Sequence, residues 1–73
     1  MRQIRLDVFG RLVLAMHTDD GWKIYYVGGE GKRRPASDIM VPHDISEANL
    51  EEYLADLCHE WSSARNPDVR RLV

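Results

Sequence analysis

Between residues 38 and 57 the apolar pattern of this chain changes period, and that change limits the fold more than any other feature. After Ser46, the residues Leu50, Tyr53, Leu54, Leu57 and Trp61 recur at i, i+3, i+4, i+7 and i+11, the spacing of one face of a 3.6-residue helix. Before residue 38, apolar and polar residues alternate between glycine-bearing turns, as half-buried strands do. The expected fold is α+β: a small antiparallel three- to four-stranded meander packed against one C-terminal helix, in the order β-β-β-(β)-α. The 73 residues make one domain. A chain this short buries only about 60% of the surface it exposes unfolded, which leaves no room for a large enclosed active site. The domain is expected over residues 1–66, with residues 67–73 as a short mobile tail.

In the first strand Ile4, Leu6 and Val8 alternate with Arg5, Asp7 and Phe9. Gly10-Arg11 fits a two-residue hairpin loop with glycine first, which pairs Val8 with Val13, Leu6 with Ala15 and Ile4 with His17. Phe9, Leu12, Leu14 and Met16 are then left on the opposite face with Arg5 and Asp7. At Asp19-Asp20-Gly21 a two-residue loop sends Trp22, Ile24 and Tyr26 to the Ile4 face, whereas a three-residue loop sends Tyr25 and Val27 there. The shorter loop is preferred. Gly28, Gly29 and Gly31 open the next connection, and Pro35 restricts any fourth strand from Lys32 onward to a sheet edge.

The helix has signals at both ends. Ser46 suits the N-cap, Glu47 the positive end of the dipole, and Ile45 with Leu50 a hydrophobic staple. Arg65 suits the last turn, Asn66 a left-handed C′ position, and Pro67 stops propagation. Leu54 and Trp61 are expected to face the sheet, Glu51 and Glu52 solvent, and Ile39, Met40 and Val41 to pack beneath the helix.

No residues are assigned to catalysis, to a cofactor or to a metal. Cys58-His59-Glu60 are helix neighbours about 100° apart and do not converge on one atom. His17 and His43 bring no metal-binding spacing, since position 63 is Ser63 where a zinc-type helix motif needs histidine. Cys58, beside Leu54, Leu57 and Trp61, reads as a core residue. The Gly28 to Arg33 run fails the phosphate-loop pattern: Tyr26 stands where the first glycine belongs and Arg33 where the hydroxyl belongs. No small-molecule substrate is indicated, and the chain is not expected to be an enzyme. With a single cysteine and no signal-like or membrane-spanning apolar run, a reducing cytoplasm is the expected setting.

Two functional readings remain. A sheet with two apolar faces and one helix to cover them predicts a non-enzymatic interaction module. Leu12, Leu14, Met16 and Tyr25, bordered by Arg5, Asp7 and Lys23, form its contact patch for a homodimer or another protein partner. The alternative is nucleic-acid binding through Lys23, Lys32, Arg33 and Arg34 beside Trp22, Tyr25 and Tyr26. Residues 1–34 carry seven basic and four acidic groups, whereas residues 35–73 carry three and eight. Long-range attraction between the two sides of one domain accounts for that asymmetry simply, and phosphate neutralisation needs a more basic balance, so DNA is disfavoured.

Residues 22–57, with GKRR after the third strand, resemble the arm-type DNA-binding domains of phage-type integrases. That resemblance implies duplex DNA as a ligand. The chain departs from it in an acidic helix bearing Glu47, Glu51, Glu52, Asp56 and Glu60. VFGR, GW followed by YY, GKRRPASDI and LEEYLADLCHEW together resemble a family of short bacterial proteins known only as a domain of unknown function. This second resemblance covers nearly the whole chain, implies a self-contained fold in a bacterial cytoplasm, and transfers no functional residues.

Overall fold

The computed structural model describes residues 2–28 and 31–72; Met1, Val73 and the Gly29-Glu30 part of the glycine-rich connection lie outside the described residues. Alternation in the first third of the chain produces three antiparallel strands: β1 (Arg2–Val8), β2 (Arg11–Thr18) and β3 (Gly21–Val27). The shorter loop at Asp19-Asp20 holds, because Thr18 pairs with Gly21 and its hydroxyl both donates to the Gly21 carbonyl (2.9 Å) and accepts from the Asp20 N–H (3.2 Å). Trp22, Ile24 and Tyr26 therefore share the Ile4 face, with Trp22 and Ile24 buried. β4 (Arg33–Pro35) is a three-residue edge strand on β3, where Pro35 is tolerated.

The first hairpin differs from the expected register. Its loop is Phe9-Gly10, and the pairs are Val8 with Arg11, Leu6 with Val13 and Ile4 with Ala15. Phe9 and Gly10 both have positive φ (51° and 89°), as a type I′ turn requires, and the Asp7 carboxylate accepts the Gly10 N–H at 2.7 Å. Phe9 tolerates the left-handed conformation because its ring is buried in the core instead of lying on the opposite face. A Cβ on Gly10 would also meet the Asn66 side-chain nitrogen at 2.8 Å. The shift is two residues, so every other strand side chain keeps its expected face.

The segment expected to be a mobile tail is instead β5 (Val69–Leu72), paired antiparallel to β1. The sheet order is β4-β3-β2-β1-β5, one strand beyond the expected meander. Four alternating residues are too few to register as a strand pattern. Their polarity also misleads, since Arg71 shares the core side with Val69.

The helical region is shorter and more broken than expected. Ser46 adopts an extended N-cap conformation but makes no side-chain cap bond, and a 3₁₀ turn over Glu47–Asn49 leads into α1 (Leu50–Leu57). A second 3₁₀ turn, His59–Trp61, ends the element well before Arg65. The buried row is Leu50, Leu54 and Cys58, spaced by four, while Leu57 is 44% exposed. Tyr53 and Trp61 flank that row, partly buried against the core.

The core fills one side of the sheet. α1 lies against β1 and β5, and residues 36–45 bring Ala36, Ile39 and Val41 into the same cluster. Met40 does not pack beneath the helix; it is 79% exposed, and its carbonyl accepts from the Tyr53 hydroxyl at 3.2 Å. The indole N–H of Trp22 donates to the Ile45 carbonyl at 2.8 Å, fixing this segment to β3.

Candidate interaction surface

The opposite side of the sheet lies away from α1 and from the core cluster, and Gly28 and Gly31 of the glycine-rich connection border it. Pairing places Arg33 of β4, Lys23, Tyr25 and Val27 of β3, Leu12, Leu14 and Met16 of β2, Gln3, Arg5 and Asp7 of β1, and Arg70 and Leu72 of β5 on that side. Leu14 and Met16 are buried in its floor, and cations stand both at its edges, as Arg33 and Arg70, and within it, as Arg5 on the interior strand β1. An open groove of about 560 Å³ runs across it, bounded by Gln3, Arg5, Leu12, Leu14, Arg33 and Leu72 among others.

The four residues expected to form a contact patch do share this side, but not equally. Leu12 is 40% exposed and Tyr25 half-buried, whereas Leu14 and Met16 are buried. Neighbouring side chains do the covering. The Arg33 guanidinium lies 5.1 Å from the Tyr25 ring centroid, and its Nη1 points at the Met16 sulfur at 3.8 Å. A long cationic side chain lying flat over apolar groups while its charge stays wet is the usual way for an arginine to cover such a surface. Leu72, which the tail reading did not anticipate, adds a second large apolar side chain at 41% exposure.

The four cations expected to meet nucleic acid are divided. Arg33 and Lys23 are on the open side, separated along β3 by Tyr25. Arg34 points to the other side, its guanidinium 5.9 Å from the Tyr26 ring centroid, and Lys32 precedes the strand. Alternation splits neighbouring arginines on a strand in this way.

A second polar cluster lies at the rim of the helix-covered side. The Tyr26 hydroxyl donates to the Asp38 carboxylate (2.8 and 2.9 Å to its two oxygens), and the Arg11 guanidinium sits 4.0 Å over the Trp61 ring. Burial, followed by the bond to Asp38, pushes the Tyr26 phenol up to about 12. Burial also pushes the Cys58 thiol up, away from the reactive thiolate, as suits a core residue. His59 and Glu60 are exposed.

The model of a family described as a Domain of unknown function (DUF7661) matches residues 3–73. The chain belongs to that family. The match begins in β1 and runs through β5, so the last strand is part of the DUF7661 unit. No curated protein and no solved structure matches the chain. No helix among the described residues is long and apolar enough to cross a membrane.

Proposed function

We propose that this protein is a non-enzymatic interaction module that binds a protein partner, a copy of itself or another chain, through the uncovered face of its sheet. The observation that carries this reading is the pair of exposed leucines, Leu12 and Leu72, on a face already floored by Leu14, Met16 and Val27. The core is complete on the other side, so these leucines contribute little to folding and are available for contact. Nucleic acid is the weaker reading, because Arg34 faces away from Lys23 and Arg33, so the expected cations do not line one track for a phosphate backbone. A cytoplasmic setting belongs to the same proposal, and a single, buried, unpaired cysteine is in keeping with a reducing compartment.

Gel filtration of a native extract tests the reading. The wild-type chain is expected to elute in a complex larger than its own 8.5 kDa, and a Leu12→Asp, Leu72→Asp double variant is expected to elute at the free size with an unchanged urea midpoint. Identical elution of the two chains would contradict it. Collapse of the large species on nuclease treatment would transfer the assignment to nucleic acid.

A further inference from the structure

The two broad sides of this molecule are opposite in charge, and each carries apolar anchors. Of the four large hydrophobic residues exposed among the described residues, Leu12 and Leu72 belong to the open sheet face, while Met40 and Leu57 belong to the helix side. The sheet face presents exposed Arg5, Lys23, Arg33 and Arg70 with Asp7 as its one carboxylate among the described residues. On α1, Glu52, Asp56 and Glu60 follow at intervals of four, a single exposed acidic ridge running into the turn after the helix. None of these three carboxylates makes an ion pair with another described residue; Arg71 is occupied by Glu47 and Glu51 on the neighbouring row. Leu57 lies beside the ridge, and Tyr53, one turn earlier, connects it to Met40.

We infer that the occupant of the open sheet face is the acidic helix ridge of a second copy of this chain, docked head to tail. This rests on the reading of the sheet face as a docking surface. A face-to-face dimer would set Arg5, Lys23 and Arg33 against the same cations of its mate, whereas the ridge offers carboxylates to those cations and Leu57 to the groove between Leu12 and Leu72. A contact of standard size takes about 800 Å² per partner. The chain exposes 5268 Å², so one such contact on each side uses a modest share of its surface. Because the two docking surfaces differ, a bound pair still presents one free ridge and one free sheet face, and association continues to a ring or a filament.

Sedimentation of the purified full chain from micromolar to millimolar concentration, at two salt concentrations, tests the inference. Wild type is expected to form species beyond a dimer, weakened by salt. Arg5→Glu with Lys23→Glu, and separately Glu52→Lys with Asp56→Lys, are each expected to associate about tenfold or more weakly, and to associate again when mixed. All four positions are exposed, so unchanged circular dichroism and urea midpoints are the check on folding. A wild type that stays monomeric at millimolar concentration, a stable two-copy limit, or a mixture that stays monomeric would overturn it. If the chain is monomeric when pure yet the native-extract complex still depends on Leu12 and Leu72, the docking surface stands and its occupant is another protein.

Discussion

The guanidinium of Arg71 on β5 reaches across to α1 and the 3₁₀ turn before it, where it bonds the Glu51 carboxylate at 2.6 Å, the Glu47 carbonyl at 2.8 Å and the Glu47 carboxylate at 3.1 Å. This fork ties the last strand to the first turns of the helix, and it makes Glu51 a partner of the sheet where solvent exposure was expected. Charge-assisted bonds to a backbone carbonyl and a carboxylate contribute more than a lone surface ion pair, although partial exposure screens them. Arg71→Ala is expected to lower unfolding free energy by about 1 kcal/mol. Arg70→Ala, whose contact with Asp7 is 4.0 Å long and whose side chain is 69% exposed, should stay within about 0.5 kcal/mol. Urea unfolding of both variants checks the difference.

The helix phase makes a sharper prediction. Leu54 is fully buried, so Leu54→Ala is expected to cost roughly 2 to 5 kcal/mol, a large part of the stability of so small a domain. Leu57→Ala and Glu52→Ala, both at exposed positions, should each stay within about 0.5 kcal/mol. Chemical denaturation that found Leu57→Ala as damaging as Leu54→Ala would overturn the rotation of the stripe toward Cys58.

Alkaline pH should unfold the domain through Tyr26. Its phenol is pushed up to about 12 in the folded chain from its ordinary value of 10.0. Above the unfolded value the unfolded chain has released this proton while the folded chain still holds it. The unfolded state then binds fewer protons, and stability falls as pH rises. The contribution is whole below about pH 10 and is lost on approaching pH 12. Tyr26→Phe should flatten that decline and remove the latest component of the tyrosinate absorbance titration. An unchanged titration would contradict the Tyr26–Asp38 assignment.

The strands and their faces were legible because period-two alternation survives a two-residue register error, as β1 and β2 demonstrate. The turn itself was not legible. Glycine-first chemistry favoured Gly10-Arg11, and only the burial of Phe9 in the core selects a loop that puts a non-glycine residue at positive φ. β5 was hidden for a related reason: two of its four residues are arginines, and the partner that draws Arg71 to the core side is a helix distant in sequence. The make-up of the open face was half legible. Leu12 and Tyr25 follow from strand parity, whereas the burial of Met16 depends on where Arg33 lies, and Leu72 depends on β5.

Photo-crosslinking from position 12 in the cells that make this protein tests the central claim most directly, that the uncovered sheet face is where it meets its partner. A benzophenone amino acid in place of Leu12 is expected to give a discrete protein adduct, lost when Leu72→Asp is added. The same group in place of the exposed loop residue Asp44 is expected to give none. Equal adducts from positions 12 and 44, or an adduct from position 12 that survives Leu72→Asp, would contradict it.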